Sequence, residues 1–320
     1  MLRARGLTKY FNHRQGRRTV RTTAVDGIDL DVAEGELVSF LGPNGAGKST
    51  TLRMLTTLLR PSAGTATVAG CDVATNPLGV RRAIGFVSQA GSTSGSARAC
   101  DEIVDHAMLF GLDASTARAR GRDIAHSLEL SDVWDRTCQT LSGGQRRRVD
   151  LAMGLVHEPR VLFLDEPTTG LDPHARANLW EHIQRIRRRT GMTIVLTTHY
   201  LDEADALSDR LIVIDHGTVI AADTPTRLKD AISGDLLSLE LESSAQASEV
   251  VALFSGTTGS AAANDGNRVS SRMVGAARAV PRLVRELDDR GIGIVGIEVR
   301  SPTLDDVFLT LTGRSLRERN

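Results

Sequence analysis

Lysine is almost missing from this chain. Of 39 basic residues in 320, only Lys9, Lys48 and Lys229 are lysine, and arginine supplies the remaining positive charge. A lysine inside a glycine-rich string therefore reads as a chemical choice, because a compact ammonium on a flexible stem reaches between two phosphates better than a planar guanidinium does. Cysteine is scarce too. Cys71, Cys100 and Cys138 are odd in number and far apart, with no metal-ligand spacing, so neither a disulfide framework nor a zinc site is expected and a reduced compartment fits. The formal net charge is zero, which argues against a nucleic-acid partner held by a broad basic surface. Long apolar runs are also absent. Residues 161–164, 194–196 and 211–214 are strand-sized and far below the length of a membrane span. The N-terminal MLRARGLTKYF lacks the apolar stretch and small-residue cleavage site of a signal peptide. The chain is expected to stay in the cytoplasm and to reach a membrane only through a partner.

The elements that are present alternate. Residues 1–38 read as short strands, with a turn at Glu34-Gly35-Glu36, and 37–41 as a buried strand. A helix is predicted over 49–59, ended by Arg60-Pro61, and 100–130 is mostly helical in composition and period. Strands at 64–69, 84–87, 161–164, 193–197 and 211–214, with a helix around 174–188, imply a mainly parallel α/β sheet. After Pro225 the pattern becomes strand 236–242, helix 247–254, a small-residue loop 255–267, strand 268–274, helix 277–289 and strand 292–300. With one weak strand before Asn264 this is a βαββαβ, ferredoxin-like order. The expected division is a larger α/β domain over 1–229, its helical part at about 90–158, and a small α+β domain over 230–320.

Three strings carry chemistry. GPNGAGKST at 42–50 satisfies GxxxxGK[ST] through Gly42, Gly47, Lys48 and Ser49, placed after a strand and before a helix. Glycines there let backbone N–H groups curl around phosphates, the helix start adds positive potential, and Ser49 offers a hydroxyl to Mg2+. VLFLDEP at 161–167 ends a strand in two acids. Asp165 suits Mg2+, directly or through water, and Glu166 suits a base that orients the attacking water, although one acid could simply cap the next helix. LSGGQ at 141–145 offers backbone donors, a hydroxyl and a helix dipole to an anion; a turn with a helix cap would also explain SGG. The run Arg146-Arg147-Arg148 reads as a solvated helix face. Gln89 and His199 each follow a strand end, where open α/β sheets place ligand contacts. Taken alone, each is weak, and a histidine there can be a hydrogen-bonded structural residue.

This set resembles the nucleotide-binding subunits of ABC transporters over roughly the first 230 residues. The resemblance implies a P-loop ATPase core with a helical subdomain, and a head-to-tail dimer in which the phosphate loop of one copy and the signature loop of the other sandwich each ATP. It implies that Gly42, Pro43, Asn44, Gly45, Ala46, Gly47, Lys48, Ser49 and Thr50 hold the phosphates, and that Ser49, Gln89 and Asp165 hold Mg2+. Glu166 would be the catalytic carboxylate and His199 would sense the γ-phosphate. Ser142, Gly143, Gly144 and Gln145 would act on the partner's ATP, Gly170-Leu171-Asp172 would signal across the interface, and Phe11, or the adjacent Tyr10, would lie under adenine.

The string PTLDDVFLTLTG at 302–313, with VRELDD at 284–289, is similar to the C-terminal domain of daunorubicin-resistance-type exporter ATPases, which implies efflux through a separate membrane permease. Two departures stand out. Residues 12–23, with five basic side chains counting His13, are longer than the usual connection and are expected to form an extra hairpin or loop. Cys100-Asp101-Glu102 stands where such exporters carry Arg-Glu-Asn, at the region that usually faces the permease. The rival reading is a soluble ABC ATPase of translation or DNA repair. Those types carry two cassettes or long coiled coils, and neither is in this sequence.

Overall fold

The computed structural model describes residues 1–15, 18–232, 234–258 and 262–313. The chain forms two compact units, Met1–Pro225 and the residues from Thr226 onward. In the first, β1 (Leu2–Gln15) and β2 (Arg18–Val32) make a long antiparallel hairpin. Residues 12–23 are the hairpin's extension, with Asn12 opposite Arg21 and His13 opposite Val20; Gly16 and Arg17 of that segment lie outside the described residues. Then come β3 (Leu37–Leu41), α1 (Lys48–Leu55), β4 (Ala63–Val68) and β5 (Cys71–Asp72), giving an antiparallel sheet of order β2-β1-β4-β5.

The remaining elements of this unit are α2 (Pro77–Ala83), β6 (Ile84–Val87), α3 (Ala99–Leu109), α4 (Ala114–Ser127), α5 (Gly143–Leu155), β7 (Val161–Asp165), α6 (Pro173–Thr190), β8 (Thr193–Thr198), α7 (Leu201–Leu207), β9 (Arg210–Asp215) and β10 (Thr218–Asp223). A second sheet runs β10-β9-β3-β8-β7-β6, parallel except for the β9–β10 hairpin. Every residue of β3, β7 and β8 is buried, which is why these strands read as continuous apolar runs and not as alternating ones. Their side chains still alternate between faces. Val38, Phe40, Val161, Phe163 and Val195 join the core under the antiparallel sheet and α1, while Leu37, Leu162, Leu164, Ile194 and Leu196 join the core under α3 to α6. Fully burying one such side chain contributes about 1.5 to 3 kcal/mol. The parallel strands thus end together, and the loops after β3, β6, β7 and β8 emerge at their carboxyl edge.

In the first unit, two helix boundaries differ from the sequence expectation. α1 stops at Leu55, not near Arg60, because Thr57 takes a left-handed φ of 63° and the Leu59 N–H turns back to the Arg53 carbonyl at 2.9 Å. The helical stretch over 100–130 is two helices, divided where Gly111 takes a φ of 89° and Asp113 caps α4.

α8 (Pro225–Asp230) spans the boundary between units. The second unit then contains β11 (Asp235–Leu241), α9 (Ala247–Thr258), β12 (Ala263–Asp265), β13 (Arg268–Met273), α10 (Ala276–Asp289), β14 (Ile294–Arg300) and α11 (Leu304–Thr312). Its sheet is antiparallel with order β12-β13-β11-β14, and Leu237, Leu239 and Leu241 pack with Val250, Phe254, Leu283 and Leu287 in a core of their own. Residues 259–261 of the small-residue loop lie outside the described residues.

Candidate active site

The loop after β3 needs glycine at two positions for steric reasons. A Cβ on Gly42 would stand 2.1 Å from the Ile214 carbonyl oxygen, and one on Gly47, whose φ is 105°, would stand 2.5 Å from that of Ala24. No side chain caps the start of α1, so its first N–H groups and the positive end of its dipole face the loop. Lys48 is only 4% exposed, and its Nζ donates to the carbonyls of Gly42 at 2.7 Å and Pro43 at 3.1 Å. Burial pushes the Lys48 ammonium below its ordinary pKa, and the nearby Glu166 and Asp165 offset part of that.

At the end of β7 the two acids are separately held. Asp165 Oδ1 accepts from Ser49 Oγ at 2.8 Å and from Thr197 Oγ1 at 2.7 Å, since the β7–β8 register sets Asp165 opposite Thr197. Glu166 leaves the strand with a φ of 45°, and its N–H donates to Thr197 O at 3.1 Å and Oγ1 at 3.0 Å. Its Oε2 accepts from Gln89 Nε2 at 2.9 Å and Thr169 Oγ1 at 3.2 Å. His199 Nδ1 is 3.2 Å from the same oxygen, though poorly aligned for a hydrogen bond, and Lys48 Nζ is 3.7 Å from Oε1. Burial alone would raise the Glu166 pKa; His199 and Lys48 outweigh it, so the carboxyl is held below its ordinary range.

Lys48, Ser49, Gln89, Asp165, Glu166 and His199 therefore form one contiguous cluster. Gln89 spends its amide on Glu166, while Ser49 and Asp165 bond each other. Ser49 and Asp165 are oxygen donors of the kind Mg2+ takes alongside phosphate. The other named residues make their contacts elsewhere. Ser142 caps α5 and exchanges hydrogen bonds with Gln145 in a capping box, leaving Ser142 and Gly143 on the surface. Asp172 caps α6 by accepting from Ala175 N at 2.9 Å, and Leu171 Cδ2 is 3.7 Å from where a Cβ on Gly143 would stand. Phe11 is 42% exposed on the β1–β2 hairpin, with Lys9 Nζ 5.3 Å from its ring; the neighbouring Tyr10 ring is covered by Arg21.

Sequence reasoning passed over three groups here. Thr197 and Thr169 orient the acids, and for Thr197 the signal was available in its place at the end of the strand next to β7. Arg147 contradicts the solvated-face reading of the 146–148 run. It is 8% exposed and bonds the backbone carbonyls of Ser88 and Pro167, because the β6 and β7 loops leave carbonyls without ladder partners just where α5 packs. Arg148 is largely covered too, donating to the Leu128 carbonyl; Arg146 alone is exposed.

Comparison with known proteins gives a consistent picture. The ABC transporter family model matches residues 25–169. The daunorubicin/doxorubicin resistance ATP-binding protein DrrA of Streptomyces peucetius is 41% identical over 316 residues, covering 98% of this chain and 93% of that protein. Nod factor export ATP-binding protein I of Burkholderia thailandensis is 37% identical, covering 92% and 93%. Among solved structures, the dimeric post-hydrolysis state of the ATP-binding cassette MJ0796 bound to ADP and Pi superposes with a TM-score of 0.63 at 25% identity, covering 70% of this chain and 98% of that one.

Proposed function

We propose, from the premise that this chain belongs to the ABC transporter family of ATP-binding subunits, that it hydrolyses ATP to drive export of a hydrophobic, drug-like compound through a separate membrane permease. Full-length similarity to resistance and export proteins favours this over a translation or repair ATPase. No helix among the described residues is long and apolar enough to cross a membrane. Its likeness to ATP-binding proteins of resistance and export systems supports action at the cytoplasmic face through the permease, as a head-to-tail dimer with a second copy.

The observation that carries the chemistry is the Glu166 carboxylate, contacted by Gln89 and Thr169 and flanked by Lys48 and His199. The loop 42–50 would cradle the phosphates with its N–H groups, and Lys48 would exchange its carbonyl contacts for the β and γ phosphates. Ser49 and Asp165, with Gln89 from the next loop, would hold Mg2+, which when bound neutralises charge building on the phosphates. Glu166 would orient and polarise a water for attack on the γ-phosphorus. The bond from that phosphorus to the β–γ bridging oxygen then breaks, giving ADP and phosphate, and the water's proton passes to Glu166 or to a phosphate oxygen. His199 would contact the γ-phosphate, Phe11 the adenine, and Ser142 to Gln145 the partner's nucleotide.

The test is ATP-driven uptake of an anthracycline into inverted vesicles carrying this chain and its permease. Uptake is expected with the parent and absent with Lys48→Ala; equal uptake by both would refute the coupling of this site to transport.

A further inference from the structure

We infer that Arg147 is a positioning residue for hydrolysis: its guanidinium holds the turn that carries Glu166 and the loop that carries Gln89 against α5, the helix that Ser142 caps. The inference rests on the nucleotide site proposed above. Arg147 Nε donates to the Pro167 carbonyl at 2.6 Å, Nη1 to that of Ser88 at 2.6 Å, and Nη2 to those of Asp165 at 3.3 Å and Glu166 at 3.4 Å. Ser88 and Pro167 are the chain neighbours of Gln89 and Glu166. One planar group thus fixes the backbone on both sides of the Gln89–Glu166 hydrogen bond.

The demand is particular to this spot. Glu166 has a φ of 45°, a backbone state that a non-glycine residue keeps only when its surroundings over-determine it. Pro167 has no N–H to offer. The five donors of a guanidinium lie in one rigid plane and here meet four carbonyls from two loops, more acceptors than the three donors of an ammonium or the two of an amide can each be matched to. One turn further along α5, Asp150 lies 3.7 Å from Arg147 Nη1 and accepts the Ser92 N–H at 2.7 Å, so the same helix face also holds the far side of the 88–92 loop. Ser142 and Arg147 are within about one and a half turns of each other on α5. Donors offered to the partner's nucleotide and the backbone behind this chain's own carboxylate are therefore parts of one rigid element.

The experiment measures MgATP turnover by the full-length chain bearing Arg147→Gln or Arg147→Lys, with Arg148→Gln as a control on the same helix. Arg147→Gln is expected to lower kcat by about a hundredfold, the effect of an ångström-scale misplacement at a catalytic group. KM for ATP should stay within about twofold because the phosphate loop is untouched. Arg147→Lys, which keeps the charge without the fork, should recover part of kcat, and Arg148→Gln should behave as the parent. Parental kcat in Arg147→Gln, a loss that Arg148→Gln reproduces, full recovery in Arg147→Lys, or failure of both Arg147 variants to fold would each overturn the assignment. Glu166→Gln is assayed alongside, so an error in the underlying site shows there, as parental turnover, and not in the Arg147 variants.

Discussion

Replacing Glu166 by glutamine isolates charge from shape at this site. The Oε2 position accepts two hydrogen bonds, from Gln89 and Thr169, whereas Oε1 lies 3.7 Å from Lys48 Nζ, beyond hydrogen-bond reach. An amide with its oxygen at Oε2 and its nitrogen at Oε1 keeps both accepted bonds, so the geometry should survive and only the negative charge is lost. Loss of a general base lowers the rate about 10²- to 10⁴-fold, or about 2.7 to 5.5 kcal/mol of barrier at 1.36 kcal/mol per tenfold. Binding should not weaken, since Lys48 no longer has Glu166 competing with phosphate for its charge. Unhydrolysed ATP then stays between Lys48 of one copy and Ser142 of the other, and a ligand that binds only the dimer stabilises it by about 2.7 kcal/mol at a hundred times its Kd. Light scattering of the variant with MgATP should give twice the 34.4 kDa of the single chain, and without nucleotide mainly the single mass. The measurement is made on the isolated chain and on the complex with its permease. Parental hydrolysis by this variant would mean that Glu166 is not the base.

Other outcomes follow from the same contacts. Lys48→Ala would remove the proposed charge-assisted phosphate contact of about 1.5 to 3 kcal/mol, and equilibrium dialysis with ATP should show affinity down roughly ten- to a hundredfold with turnover abolished. A chain cut after Lys229 should still bind ATP by calorimetry, because each unit has its own core; an insoluble fragment would contradict this. Phe163→Ala, at a fully buried position, should lower unfolding free energy by about 3 to 5 kcal/mol in urea titration. Glu203 is buried against Trp180 Nε1 at 3.0 Å, and burial raises its pKa. A raised carboxyl pKa means the folded state holds the proton longer, so stability drains away as pH rises above the unfolded value of about 4.3. Glu203→Gln should accordingly raise Tm more at pH 8 than at pH 4, and an equal shift at both would exclude the buried charge as the cause.

The parallel sheet was legible because buried strands leave short apolar runs, and the glycine-rich loop after β3 because few residue types fit its backbone. The order of motifs made the ABC family readable, and full-length similarity agrees. The end of α1 was not legible, since Thr57 turns left-handed and the Leu59 N–H closes back on the Arg53 carbonyl, a closure that no local propensity signals. Arg147 was hidden for a different reason. A run of arginines on a polar helix looks solvated from sequence, and only the packing of α5 against two loop carbonyls buries the middle one.

The capping box at Ser142 also bears on how one copy would greet another. The hydroxyl oxygen is occupied as an acceptor by the Gln145 N–H, while the Gln145 side chain holds the Ser142 N–H in return. Accepting uses a lone pair and leaves the hydroxyl proton uncommitted. The residue is thus a rotor pinned on one side, with its hydrogen left to swing outward. Little side-chain freedom would remain to be surrendered if a nucleotide docked there, so that a small exposed loop would serve as a preset half of the shared receptor proposed above.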